Sequence, residues 1–303
     1  MDLSVCFLGT GATSPTRTRG LTSCLVMRGS DRVLVDCGEG TQRALLLAEV
    51  SQAMIPLVLL THGHSDHYMG LPGLLKGWSA QGRRDPLEIY GPPGTWQLVR
   101  AMTGFIGPLR YDLEIREITR GEAILRDGYR IDPVATHHRI SSLGWAFVED
   151  GRPGRFDAER ARALGVAEGP ELGRLARGET LTLAGGAEID GADLIGPPRP
   201  GRRVVVSGDT TPCETLERAA TGADLLVMEA TFLEADAALA DKAAHSTALQ
   251  AGALARRAGV RSLALTHISS RYETIEVLSE ARREFPEAII PDDYDRISVT
   301  HRD

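Results

Sequence analysis

The sequence predicts a mixed α/β fold, and three observations carry that prediction. Short apolar runs of four to six residues recur along the chain, at 4–8, 23–27, 32–36, 55–60, 87–91, 203–207, 224–228 and 262–265. They have the length of strands, not of helices. Helix-like stretches separate several of them, the clearest being the alanine-rich segment 246–257. Finally, the runs end on chemistry-bearing residues: Thr61-His62, Gly208-Asp209-Thr210, Glu229-Ala230-Thr231 and Thr266-His267. Strand ends are where α/β folds place functional groups.

The elements follow in order. Residues 4–8 form a β-type run that stops at Gly9-Thr10-Gly11. Residues 23–27 and 32–36 flank Gly29-Ser30, a hairpin signal. Gly38-Glu39-Gly40-Thr41 opens a helical stretch over 42–49. Residues 55–60 are continuously apolar, as in a strand buried on both faces. A helix pattern then runs through Leu71 and Leu75, a strand covers 87–91 and a helix covers 94–102. Residues 149–194 differ: they are rich in glycine and charge and lack a strong period. Alternation resumes after them, and no repeat of fixed period appears.

At 303 residues, 42% hydrophobic and 25% charged, the chain can bury a sizeable core in one large domain or two small ones. No apolar run approaches the ~20 residues of a membrane span. The start, MDLSVCFLGTG, lacks a basic and then apolar leader, so the expected location is cytoplasmic. Cys6, Cys24, Cys37 and Cys213 form no CxxC pair, which excludes a zinc ribbon and reads as buried thiols. The net charge of −7 leaves any nucleic-acid contact to local arginine patches.

His62, His64, Asp66 and His67 fall within six residues, just past a buried strand. In extended geometry His62, His64 and Asp66 point to one side. Imidazole and carboxylate are ligands of zinc and similar metals. Crowded together without a cation, they desolvate at high cost. One loop cannot complete two sites, so further ligands must come from His137, His138, Asp209, His245, His267 or His301. Asp209 and His267 stand out by their strand-end positions. His245, taken alone, reads as part of a helix N-cap, with Ser246 opening the helix. Ser270 and Arg271, just past His267, are candidate ligand contacts.

HGHSDH matches the HxHxDH signature of the metallo-β-lactamase superfamily. The chain resembles its ribonuclease Z branch in FLGTGATSPTRTRGLTS, DCGEGTQRALL, THGHSDHYMGLPGLL, HRISSLGW, GPPRPGRR, SGDTTPC, EATF, AHSTALQA and LTHISSRY, in the family's order. The resemblance implies an αββα metallo-β-lactamase fold over 1–148 and 195–303, with 149–194 as an inserted arm that holds transfer RNA. It implies two Zn2+, with Mn2+ or Fe2+ also acceptable to the donors. One would be held by His62, His64 and His138, the other by Asp66, His67 and His267, with Asp209 shared. The choice of His138 over His137 comes from the family's spacing to Gly144-Trp145. The residues alone leave it open.

The implied activity is removal of the 3′ trailer from transfer RNA precursors, leaving a 3′-hydroxyl on the tRNA and a 5′-phosphate on the trailer, by a homodimer. Asp66 would orient the attacking water and accept its proton, and His245 would serve the phosphate and leaving oxygen. Glu229 would orient His245. Arg17 and Arg19 occupy a loop resembling PxKxRN, which would meet the RNA 3′ end and grip phosphate, with Arg17 for lysine and Gly20 for asparagine; Ser270 and Arg271 would bind the scissile phosphate. Arginines 152, 155, 160, 162, 174 and 177 are the arm's candidate phosphate contacts, although ten acidic residues there outnumber the six. Arg199, Arg202 and Arg203 form a second basic candidate. Met228, where the family commonly has histidine, is expected to fill that volume. The runner-up is another two-metal hydrolase of this fold, acting on a small phosphodiester, sulfate ester or lactone.

Overall fold

The computed structural model describes residues 1–51, 55–119 and 121–302. The chain divides into two compact units, one of Met1–Val148 with Arg202–Asp303 and one of Glu149–Gly201.

In the larger unit the strands are β1 (Leu3–Gly9), β2 (Ser23–Arg28), β3 (Asp31–Val35), β4 (Leu57–Leu59), β5 (Leu87–Gly91), β6 (Leu113–Glu117), β7 (Ile124–Arg126), β8 (Tyr129–Ala135) and β9 (Leu143–Glu149). In the smaller unit β10 (Thr180–Thr182) pairs with β11 (Glu188–Asp190). The larger unit resumes with β12 (Arg203–Val206), β13 (Leu225–Glu229), β14 (Leu263–Thr266) and β15 (Arg296–Ser298). Among the described residues one sheet has the order β15-β1-β2-β3-β4-β5-β6 and the other β14-β13-β12-β9-β8-β7.

Period-two alternation builds the layers. Val5 and Phe7 face a core shared with Trp145, Phe147, Val204 and Val206 of the second sheet. Cys6 and Leu8 face the opposite way, toward helices α1 (Thr41–Leu47), α2 (Leu71–Ala80) and α3 (Thr95–Ile106). The outer face of the second sheet packs on α6 (Glu214–Ala220), α8 (Ala248–Ala258) and α9 (Thr274–Ala281), and the short α7 (Ala237–Ala243) precedes α8. This is an αββα sandwich. Helix α2 shows why its sequence is helical: Pro72 sits in its first turn, and Leu71, Leu74, Leu75 and Trp78 make one buried stripe.

The hairpin over Gly29-Ser30 forms, with Arg28 opposite Asp31 and Gly29 at φ 54°. The ladder of β4 is shorter than the apolar run that marks it. Helix α8 starts two residues later than expected. Thr247, not Ser246, is its N-cap, and Gln250 returns the bond in a capping box. Ser246 instead donates to the Thr210 carbonyl at 2.7 Å.

The smaller unit, where the sequence shows no strong period over 149–194, is built of short regular elements. It holds α4 (Ala158–Ala163), α5 (Pro170–Ala176) and the β10–β11 hairpin. Ala161, Val166, Leu175, Leu181, Ile189 and Leu194 form its own core. These elements are too short to show a period. Among the described residues no helix is long and apolar enough to cross a membrane.

Gly70 joins the histidine-rich loop to α2, and its N–H donates to the Cys37 carbonyl at 2.8 Å. A Cβ there would lie 2.1 Å from the Gly38 carbonyl oxygen. The neighbouring Cys37 N–H holds the His67 carbonyl at 2.7 Å. Gly70→Ala therefore forces backbone apart beside His67. We expect a loss of about 1–3 kcal/mol, read as a lower urea midpoint; an unchanged midpoint would contradict the packing described.

Candidate metal centre

Strand ends at one edge of the sandwich deliver the site. Asp36 follows β3, Thr61 and His62 follow β4, and a 3-10 turn, Ser65–His67, closes behind His64. His137 and His138 follow β8, Asp209 follows β12, Glu229 ends β13, and His267 follows β14. Asp36 and His267 both adopt φ 57°, a left-handed conformation unusual for non-glycine residues. Strain of this kind persists where surrounding contacts over-determine it.

The side chains converge from up to 205 positions apart in the sequence. His62 Nε2 and His138 Nε2 lie 3.0 and 3.1 Å from His64 Nδ1. His267 Nε2 lies 3.4 Å from Asp66 Oδ2. Asp209 Oδ2 faces both groups, at 3.5 Å from His62 Nε2, 3.3 Å from His67 Nε2 and 3.4 Å from His267 Nε2. Three sets of donor atoms lie within 4.8 Å of one another: His62, His64, His138 and Asp209; Asp66, His67 and His267; and Asp209, His245 and His267.

The donors fit a cation. His138 Nδ1 donates to the Ala244 carbonyl at 2.8 Å, so a neutral ring leaves Nε2 as a bare lone pair. His67 Nδ1 lies 2.7 Å from Asp36 Oδ2, while its Nε2 is buried with no hydrogen-bond partner. Nitrogens packed at 3.0–3.1 Å with too few protons to share repel one another. Around a tetrahedral ion with ~2.0–2.1 Å bonds, ligand atoms sit about 3.3 Å apart.

Charge points the same way. Burial, followed by the charge of neighbouring histidines, holds His62 well below the ordinary imidazole range. Burial also lowers His64 and His138. These rings are neutral near pH 7, as ligands must be. Burial also opposes charge on His67, but the carboxylates of Asp209 and Asp36 outweigh it and hold that group well above its ordinary value. Burial would raise Asp66 and Asp209, yet the surrounding histidines hold both carboxyls well below the usual range. The acids thus draw positive charge into a place where burial resists it, and a multivalent cation supplies that charge. For His245, burial is again outweighed, here by Glu229, and its pKa is pushed up to about 9.

The metallo-beta-lactamase superfamily model matches residues 17–152, and a beta-lactamase superfamily domain model matches residues 193–268. The chain is 44% identical to ribonuclease Z of Myxococcus xanthus, over 93% of each chain. It is 40% identical to ribonuclease Z of Methanosarcina acetivorans, over 99% of each. The chain belongs to the ribonuclease Z family.

Among solved structures, human tRNase Z, short form, matches with a TM-score of 0.71 and 25% identity, over 98% of this chain and 99% of that one. The metallo-beta-lactamase fold protein YhfI of Bacillus subtilis matches with a TM-score of 0.72 and 18% identity over the same shares, which speaks to the fold alone. Membership of the ribonuclease Z family and the His/Asp clusters make the chain a divalent-metal hydrolase.

All seven residues expected as ligands, His62, His64, Asp66, His67, His138, Asp209 and His267, come together. His137 does not: it is exposed, with Nδ1 2.9 Å from the Thr211 hydroxyl. His245 and Glu229 stand beside the clusters, joined at 2.8 Å. Met228 is fully buried among apolar side chains. The four cysteines are unpaired, three of them buried.

Two arginines are placed otherwise than expected. Arg19 is buried, and its guanidinium donates to Thr10 Oγ1 at 2.6 Å, the Pro291 carbonyl at 2.9 Å and Asp292 at 3.2 Å. With both terminal nitrogens bonded to the protein, it ties the loop down, and a grip on phosphate by that end is withdrawn. Arg202 is also buried, donating to the Val299 and Met1 carbonyls, so it drops out of the basic patch. Arg17, Ser270 and Arg271 are exposed. Arg17 lines a cavity of about 350 Å3 with Arg43 and Tyr294. In the smaller unit, Arg162 pairs with Glu168, and Arg174 and Arg177 both pair with Glu179, all at 2.9 Å.

Three residues of the site were missed: Asp36, Thr61 and Thr231. Asp36 had a readable signal, a carboxylate at a strand end like Asp209. Thr61 and Thr231 stood at strand ends already marked, but a hydroxyl there is ordinary turn chemistry and named no role.

Proposed function

We propose that this chain cuts the 3′ trailer from transfer RNA precursors, leaving a 3′-hydroxyl on the tRNA and a 5′-phosphate on the trailer. One observation carries the reading: a His245–Glu229 pair stands beside the convergence of five histidines and two aspartates at the sandwich edge. That arrangement suits a phosphodiester, which needs charge neutralisation and a proton for its leaving oxygen.

In this reading His62, His64 and His138 would hold one zinc ion, Asp66, His67 and His267 would hold the other, and Asp209 would serve both. When bound, two such cations supply Lewis-acid charge that acidifies water and neutralises charge developing on phosphoryl oxygens. Asp66, steadied by the Thr13 N–H at 3.0 Å, orients the attacking water and accepts its proton. Glu229 fixes the ring of His245, which faces the phosphate and protonates the departing ribose oxygen. Arg17 meets the RNA 3′ end, and Ser270 and Arg271 bind the scissile phosphate. Residues 149–194 hold the body of the tRNA, and the working unit is a homodimer.

Incubating the protein with a tRNA precursor and mapping the cut nucleotide tests the activity. One cut at the tRNA–trailer junction is expected. Hydrolysis of bis-p-nitrophenyl phosphate with an intact precursor would move the assignment to small phosphodiesters.

The role of the smaller unit has its own test. Val148 and Arg203 are antiparallel partners, so replacing residues 150–201 by Asn-Gly joins β9 to β12 as a two-residue hairpin. Precursor cleavage is expected to fall roughly tenfold or more in kcat/KM, with hydrolysis of the small ester retained. Unchanged precursor cleavage would remove the proposed RNA contact.

A further inference from the structure

Two buried carboxylate–threonine pairs, built alike, orient four of the clustered imidazoles. After β3, Asp36 accepts the Thr61 N–H on Oδ1 at 2.7 Å and the Thr61 hydroxyl on Oδ2 at 2.8 Å. His67 Nδ1 reaches the same Oδ2 at 2.7 Å, and His62 Nδ1 lies 3.0 Å from the Thr61 oxygen. At the end of β13, Glu229 Oε2 accepts the Thr231 hydroxyl at 2.5 Å. His245 Nδ1 reaches Glu229 Oε1 at 2.8 Å, and His267 Nδ1 lies 2.8 Å from the Thr231 oxygen. Each carboxylate therefore serves one histidine directly and a second through a hydroxyl.

Proton counting decides the direction of the second link. An ionised carboxylate only accepts, and a hydroxyl has one proton to give. The Thr61 and Thr231 protons go to Asp36 and Glu229, so both oxygens can only accept from the imidazoles. His62 and His267 must then carry their protons on Nδ1, leaving Nε2 as a lone pair. Those Nε2 atoms are the ones that face Asp209, at 3.5 and 3.4 Å. Both threonines are buried, so water does not compete for these bonds.

We infer that Thr61 and Thr231 are positioning residues that set the Nδ1–H tautomers of His62 and His267, one in each half of the cluster. The inference rests on the reading of these histidines as metal ligands. Without the hydroxyl, Nδ1 loses its acceptor and the proton is free to move to Nε2, where it blocks ligation. Hydrogen-bond partners of ligating histidines typically govern affinity by 10–100-fold, and the effect should divide by position. Thr61→Val weakens the ion held with His64 and His138, and Thr231→Val the ion held with Asp66 and His67.

The test compares Thr61→Val, Thr231→Val and the two serine variants. Long-range 1H–15N correlation on metal-free protein reads the tautomers, and zinc competition against a chromophoric chelator reads affinity. Expected are Nδ1–H rings in the wild type, a tautomer mixture and affinity about 10–100-fold weaker in each valine variant, and recovery in serine. An Nε2–H ring at His62 or His267 in the wild type overturns the inference even where a valine variant fails to fold. His267→Ala separates the two levels. If it binds zinc like the wild type, the ligand reading fails. If it loses zinc while Thr231→Val keeps wild-type affinity and tautomer, only the positioning role fails.

Discussion

Replacing Asp209 by alanine should lower the metal content of the purified protein below two ions per chain and reduce turnover by about 10^3-fold or more. Among the described residues Asp209 Oδ2 is the one carboxylate oxygen that faces His62, His67 and His267 together, all within 3.3–3.5 Å. It is 2% exposed, so water cannot take its place without opening the packing around it. A loss of several kcal/mol of transition-state stabilisation corresponds to the stated rate. Elemental analysis alongside kcat provides the check. A variant with full metal and wild-type kcat would remove Asp209 from the centre of the site.

Replacing His245 by alanine should leave the metal content intact and lower kcat on the RNA by about 10^2–10^4-fold, the usual range for a general acid. Geometry permits a rival role, since Asp209, His245 and His267 also lie within ligating distance of one another. The 2.8 Å bond from His245 Nδ1 to Glu229 suits either role, as His67 is held alike by Asp36, so the metal content of the variant decides between them. The leaving group discriminates further. A nitrophenolate departs without a proton, so His245→Ala should cost much less on a nitrophenyl ester than on a ribose 3′-oxygen. Metal lost together with activity, or equal losses on both substrates, would make His245 a ligand instead of an acid.

Much of the site was legible because its clues are local. HGHSDH gathers four donors in six residues, and Asp209 and His267 announce themselves by following apolar runs. Arginine was misread for the opposite reason. Arg19 and Arg202 look like solvent-facing cations in one dimension, and only the carbonyls of Pro291, Val299 and Met1, far away in sequence, show where their donors go. The segment 149–194 lacked a period because its helices and strands are too short to repeat one.

By itself, the sequence determined the alternation of strands and helices, the identity of the donors and their placement at strand ends. These follow from side-chain periodicity and ligand chemistry, which act over a few residues. The tertiary structure alone decided that His138 meets His64 while His137 turns to Thr211, that Asp36 reaches Thr61 past a neighbouring strand, and that Thr231 reaches His267 past another. Those pairings depend on which strands become neighbours. Burial of the two inner sheet faces sets that order across the whole chain, and no short window of sequence contains it.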